Sequence, residues 1–422
     1  MISALDQDPD AARNETVRAS DVGLPAAAAL PFEFTAGHDW SPLVISFPHV
    51  GLEWPADEPQ LRPAVNFARN ADFAVDHLYP GAAALGAATL RARYSRLLID
   101  LNRAPDDVSS ALVPDHPAPR PQRPPWATSG PAPVHNRGLI WQTAVGNVQI
   151  LRTPLAFADL QARLSRYYDP YHAALALLLQ RRRARFGFAV LLDAHSMPSS
   201  IPGDLVLGTF EGGACGPELE RRALTALRGD GPARFRVCLN DPYRGGELVR
   251  KFGRPEHGVH ALQLEVNRGL YMDEANLVLR REVRAGLAVS HPAEIPDTAT
   301  TSRPSGPASR PSGSESPATS LTSTASTPTN GREAAPLLLL HRVKSLVSAL
   351  AATSLPTNHT MAPARQPLPD VSQPSNPPQL VARSSGSDPS RPSEPDPSRP
   401  SGPEVRRTAH FGEPLCRRRP RG

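Results

Sequence analysis

Cysteine is scarce in this chain of 422 residues: Cys215, Cys238 and Cys416 stand far apart and form no C-x-x-C pair. They constitute neither a disulfide framework nor a thiolate metal centre. Aromatic residues make up only 5% of the chain, and none interleaves with the closing Arg417-Arg418-Arg419-Pro420-Arg421. The net charge of +5 is therefore read as a solvated basic end, and no specific nucleic-acid partner is expected. Long apolar runs are missing too. The most apolar stretch of the C-terminal part, Pro336 to Leu355, is interrupted by His341, Arg342 and Lys344, so it is too short and too polar to span a bilayer. The opening M-I-S-A-L-D-Q-D-P-D is acidic and polar, unlike a signal peptide, and a cytoplasmic location is expected.

Proline is what the chain has in excess: 49 residues, crowded towards the C-terminus. From about Pro296 onward Ser, Thr, Pro, Ala and Arg dominate. Near-repeats appear there: S-R-P-S-G-P at 302–307 and D-P-S-R-P-S at 388–393 and 396–401. Such a segment holds too little apolar surface to offset the entropy of ordering it. The expected organisation is a flexible segment over 1–30, one globular domain over 31–294 and a disordered tail over 295–422. Within that tail, Pro336–Leu355 reads as a short helix that docks on a partner, lies on a membrane surface, or forms only transiently. Removing everything after about Pro296 is expected to leave the domain folded, with its activity intact.

Apolar runs and helical periodicity alternate along the domain, the pattern of an α/β fold. Strands are predicted at 43–47, 89–93, 97–101, 147–151, 188–193, 235–239 and 260–266. Helices are predicted at 62–79, 155–168, 171–186, 217–228 and 273–288, with Pro170 separating two of them and Asp169 placed to cap the second. The proline-crowded stretch Pro114–Pro133 must be a loop, either a lid on the site or a tolerated insertion.

Two strands end in the same way. Val190-Leu191-Leu192-Asp193-Ala194-His195-Ser196 is an apolar run that stops at an aspartate and a histidine, and Leu43-Val44-Ile45-Ser46-Phe47-Pro48-His49 stops at a Pro-His turn. In open α/β sheets ligands gather beyond the carboxyl ends of strands, so the two histidines are candidates to meet around a metal. A third strand, V-H-A-L-Q-L-E-V-N-R at 259–268, sets Glu265 among apolar neighbours. A carboxylate there needs a cation, a metal-bound water or a substrate, or else a buried ion pair with Arg268 or Arg244.

Five motifs, in order from about Leu43 to Glu274, resemble N-formylglutamate amidohydrolases. They are S-F-P-H-V-G at 46–51, Y-S-R-L-L-I-D-L-N-R at 94–103, L-L-D-A-H-S at 191–196, N-D-P-Y-R-G-G at 240–246 and H-A-L-Q-L-E-V-N-R-G-L-Y-M-D-E at 260–274. The resemblance implies a single α/β domain of the phosphorylase/hydrolase-like type, a three-layer sandwich related to zinc carboxypeptidases. It also implies zinc-dependent cleavage of N-formyl-L-glutamate to formate and glutamate, the last step of one histidine-degradation route. The chain departs from the best-characterised deformylases around 104–146. Another zinc amide hydrolase, such as an acyl-amino-acid deacylase or a carboxypeptidase-like enzyme, is an alternative, as is a non-catalytic scaffold that recruits partners through its tail.

A catalytic zinc takes three protein ligands and keeps one position open. His49 and His195 supply two. Asp72, Asp76 and Glu53 are candidates for the third; Asp72 is preferred, and its spacing from Asp76 would put both on one helix face. Glu265 is the expected general base. Asp193, two residues before His195 on the same strand face, is the expected partner that orients an imidazole. An anionic N-formyl amino acid calls for guanidinium forks, and Arg96, Asn102, Arg103, Arg244 and Arg268 are the expected substrate-binding residues. Arg244, between Tyr243 and two glycines, looks like a mobile clamp. Oligomeric state is not legible.

Overall fold

The computed structural model describes residues 15–58, 65–121, 137–230, 235–281, 283–284 and 335–354. Its centre is a seven-stranded mixed sheet. In chain order the strands are β1 (Phe32–Thr35), β2 (Leu43–Phe47), β3 (Ala88–Ala92), β6 (Ala189–Met197), β7 (Leu205–Gly208), β8 (Val237–Leu239) and β9 (Val259–Asn267). They lie in the order β1-β3-β2-β6-β9-β7-β8. The four strands β3, β2, β6 and β9 run parallel, with β1 antiparallel to β3 and β7 antiparallel to β9. Two short hairpins, β4 (Thr143–Ala144) with β5 (Val148–Gln149) and β10 (Met272–Asp273) with β11 (Val278–Leu279), stand outside this sheet.

Alternation along the strands distributes apolar side chains to both faces. Val44, Leu191, Val259 and Ala261 pack with Tyr171, Leu175, Leu178 and Leu179 of α3 (Asp169–Phe186), and with Leu248, Val249 and Phe252 of α5 (Glu247–Phe252). Leu43, Ile45, Val190, Leu192, Leu262 and Leu264 pack on the opposite face with Leu219, Ala223 and Leu227 of α4 (Pro217–Arg228). Strands buried on both faces read as continuous apolar runs, which is why β2, β6 and β9 are legible in the sequence.

Several expectations are corrected. Residues 97–101 form a turn, not a strand. The helix expected over 62–79 reduces, within the described residues, to α1 (Phe67–Asn70) and a 3-10 turn at Asp76–Leu78. Ala74 between them has φ of 58°, a left-handed conformation that no helix propagates through. The start of the helix expected over 273–288 is instead the β10–β11 hairpin, and 285–288 lie outside the described residues. Asp169 does not cap a new helix. α2 (Phe157–Arg163) runs into α3 through a wide π turn at Leu164–Tyr168, and this turn accommodates the missing N–H of Pro170.

The terminal segments also differ from expectation. Residues 15–30 are ordered against the domain: Val17 and Val22 join the core, and buried Glu15 holds buried Arg182 with both carboxylate oxygens. The short helix read at Pro336–Leu355 is present as α6 (Ala335–Ala351), but it belongs to the domain and lies against α4. Leu339, Val343, Leu346, Val347 and Leu350 are buried in the α4-side core. The rest of the tail and residues 122–136 of the proline-rich loop lie outside the described residues. Cys215 is buried with its thiol free. No described helix is long and apolar enough to cross a membrane.

Candidate metal centre

Register brings the site together. On the central strands Asp193 pairs with Gln263 and His195 with Glu265, and Ser46 of β2 pairs with Asp193. All four polar side chains of β6 and β9 therefore project towards the α3–α5 face at the carboxyl end of the parallel strands. His49 follows β2 by two residues and reaches the same place. Its Nδ1 lies 3.1 Å from Nδ1 of His195.

Asp72 completes the group. Its Oδ2 is 2.9 Å from His195 Nδ1 and 3.5 Å from His49 Nδ1. Ligand atoms of these three buried residues all lie within 4.8 Å of one another. The other two carboxylates considered from the sequence are engaged elsewhere, Asp76 with Arg91 at 2.7 Å and Glu53 with Arg93 at 3.0 Å. The left-handed Ala74 turns Asp76 away from the face it would share with Asp72 on a helix.

The outer edges of both imidazoles are fixed. His49 Nε2 lies 2.7 Å from Asp100 Oδ1, and His195 Nε2 lies 2.8 Å from Asp193 Oδ2. Carboxylates accept, so each Nε2 carries a proton, and a cation that displaces the proton shared between Nδ1 and Asp72 would meet a lone pair on each Nδ1. Two such lone pairs and a carboxylate oxygen converge on one point, an arrangement that a single divalent cation satisfies. The donor set fits a metal ion. Around it, Asn102 accepts the Leu248 N–H with Oδ1, which turns its Nδ2 to donate to Asp193 Oδ2 at 2.9 Å. Arg268 donates to Asp72 Oδ1 at 3.3 Å and to Ser196 and Glu274.

The electrostatics agree. Burial alone would raise the Asp72 carboxyl, yet hydrogen bonds with His195 and His49 outweigh it and hold the group well below the usual range. Burial opposes a proton on His195, but the Asp193 and Asp72 carboxylates hold that imidazole well above its usual value. A pocket negative enough to favour a proton there also favours a metal cation. Glu265 is pushed up to about 7, chiefly by burial. It forms no ion pair with Arg268 or Arg244; Gln263 Nε2 donates to its Oε1 at 2.9 Å.

The expected arginines separate. Arg96 donates to Asp100 Oδ2 at 2.8 Å and faces the Trp141 ring. Arg103 donates to the carbonyls of Arg137 and Asn102. Arg244 lies exposed over Phe210, 3.7 Å from Glu211. Sequence reasoning assigned Asp100 only a structural pairing with an arginine and did not single out Gln263 or Trp141. For Gln263 a signal existed, since it lies two residues before Glu265 on one strand face. For Asp100 and Trp141 none did, because turns carry them to the site.

The chain is similar to known proteins of one family. The family model described as N-formylglutamate amidohydrolase matches residues 41–272. An N-formylglutamate deformylase of Pseudomonas aeruginosa is 35% identical over 246 residues, 55% of this chain and 83% of the relative. One from Pseudomonas putida is 33% identical over 251 residues, 57% of this chain and 85% of the relative. The crystal structure of an N-formylglutamate amidohydrolase from Ralstonia eutropha is similar at a TM-score of 0.53 and 32% identity, covering 61% of this chain and 93% of that one. With its motifs, sheet and histidine pair in place, the chain belongs to the N-formylglutamate amidohydrolase family, hydrolases that act on a C–N amide bond.

Proposed function

We propose that this protein hydrolyses N-formyl-L-glutamate, or a similarly small anionic N-formyl amino acid, to formate and the free amino acid, using zinc held by His49, Asp72 and His195. The observation that carries the reading is the convergence of two imidazole Nδ1 atoms and one carboxylate oxygen, each ring fixed from behind by its own carboxylate. Two nitrogens and one oxygen suit a catalytic zinc with an open position. Zinc, when bound, lowers the pKa of water and polarises the formyl oxygen.

The chain's own residues do the rest. Gln263 engages Oε1 of Glu265, which leaves Oε2 to take a proton from the attacking water and return it to the leaving amine. A carboxyl that titrates at about 7 can do both near neutral pH. Asp100 and Asp193 keep the imidazole tautomers fixed. The resemblance carries the zinc-carboxypeptidase-related fold and the place at the end of a histidine-degradation route as parts of the same reading.

The test is formate release from N-formyl-L-glutamate by the purified protein, with zinc measured on the same sample. About one zinc per chain is expected. Glu265→Gln should retain the metal and lose at least about a hundredfold in kcat, the scale of general-base catalysis. Turnover within about threefold of the parent, too small a loss for a removed general base, would leave Glu265 a structural residue.

A further inference from the structure

Five arginines stand around the site, and four are engaged. Arg96 is held by Asp100, Arg268 by Asp72 and Glu274, and Arg103 by two carbonyls with Asp107 4.0 Å away. Arg244 faces solvent beside Glu211. Arg137 is different: among the described residues no carboxylate lies within ion-pair distance of its guanidinium.

Its surroundings tie it to the metal centre. The Arg137 guanidinium lies 5.0 Å from the centre of the Trp141 ring, and that of Arg96 lies 4.5 Å from the same ring. Trp141 Nε1 donates at 3.1 Å to Oδ2 of Asp100, whose Oδ1 holds His49. The backbone is fixed as well. Arg137 and Trp141 pair across an antiparallel bridge, and Leu139 donates to Asp107 and accepts from Asp100. Gly138 lies so close to Asp107 that a Cβ would stand 2.2 Å from its carbonyl oxygen. The guanidinium is thus presented by a pinned turn.

A half-buried cation beside two others is costly until an anion joins it. Burial, Arg96 and Arg103 all act to lower the Arg137 pKa, which records that cost. Stacking on Trp141 uses one face of the guanidinium, and no hydrogen bond among the described residues engages its edge N–H groups, the fork that takes a carboxylate in two parallel hydrogen bonds.

We propose that Arg137 is the specificity-determining receptor for the side-chain carboxylate of the acyl amino acid substrate. The proposal rests on the deformylase reading and names the residue that makes the site prefer an acidic side chain. The test pairs N-formyl-L-glutamate with N-formyl-L-glutamine, its neutral counterpart of the same shape. Arg137→Met should lower kcat/KM for formylglutamate roughly tenfold to a hundredfold, mainly through KM, and move formylglutamine by less than about threefold, the contrast expected from one charge-assisted contact. Arg137→Lys should recover part of the loss, because the charge returns without the fork. An equal decline on both substrates, or an unchanged preference for formylglutamate, overturns the assignment while the deformylase reading stands. Should the parent protein hydrolyse neither, that reading fails, and calorimetry with L-glutamate against L-glutamine decides the question separately. A preference for glutamate that Arg137→Met removes supports Arg137 as the receptor, and no such preference, or one that survives, overturns it.

Discussion

In the proposed site, His49 and His195 depend on the groups behind them. A bare imidazole can rotate or change tautomer, and the carboxylates of Asp100 and Asp193 prevent both at 2.7 Å and 2.8 Å. Asp100 also draws in Arg96 and Trp141, so it joins the candidate metal centre to these two side chains. Asp100→Asn should weaken zinc binding by about 10–100-fold, as loss of such an outer partner generally does, measured by competition with a chromogenic chelator. Asp76→Asn should leave zinc affinity unchanged, since Asp76 is paired with Arg91. Equal affinities for Asp100→Asn and the parent would show that His49 needs no orienting carboxylate. Asp193 was legible because a strand period of two puts it beside His195. Asp100 was not, because its reach to His49 spans 51 residues and depends on a turn where apolar residues suggested a strand.

Among the elements, α3 carries the clearest consequence of burial. His172 lies fully inside, with Nε2 donating to the Leu101 carbonyl at 2.9 Å and Nδ1 accepting from Lys251 at 3.1 Å. Burial first, then the Lys251 charge, hold its pKa well below the usual 6.5. Above about pH 6.5 the imidazole is neutral in both folded and unfolded chains and adds no pH dependence. Below it the unfolded chain binds a proton that the folded chain refuses, so stability falls as pH falls. The slope from this residue approaches about 1.4 kcal/mol per pH unit. His172→Gln keeps a donor and an acceptor without titrating. Denaturant unfolding between pH 6.5 and 5 should therefore show a shallower loss for the variant, by about one proton. Parallel curves would mean that His172 titrates alike in both states. The helical pattern of α3 and α4 was readable, whereas the continuous passage through Pro170 was not, because the π turn that permits it has no sequence signature.

At the scale of the whole molecule, the domain does not end where its family motifs end. α6 lies some fifty residues beyond the last described residue of the β11 region, yet it places Leu339, Val343, Leu346, Val347 and Leu350 in the core. Gly229, at the end of α4 with φ of 61°, approaches the Arg342 guanidinium so closely that no side chain fits between them. Each buried aliphatic side chain contributes about 1.5–3 kcal/mol, so five together rival a net stability of about 5–15 kcal/mol. Removing everything after Pro296 should therefore yield insoluble or markedly less stable protein, contrary to what the tail's composition suggests. Deleting only 305–325 should preserve the melting temperature, because halving a connection changes closure entropy by only about 0.6 kcal/mol. A soluble 1–296 fragment that melts with the full chain would refute the structural role of α6.

Local chemistry determined a good deal by itself. Continuous apolar runs had to become buried strands. Polar residues at their carboxyl ends had to gather in one crevice, so His49, His195, Asp193 and Glu265 could be picked out from the chain alone. Tertiary structure decided what depends on residues meeting from afar. It chose Asp72 over Asp76 and Glu53 through a left-handed Ala74 and two competing arginines. It set Asp100 behind His49 and left Arg137 over Trp141 with no carboxylate partner among the described residues. It also drew α6 out of a low-complexity tail, because the apolar face of α4 and the sheet behind it needed covering. The sequence showed a short helix at Pro336–Leu355 but not where it packs, because docking depends on an apolar face of α4 that only the fold presents.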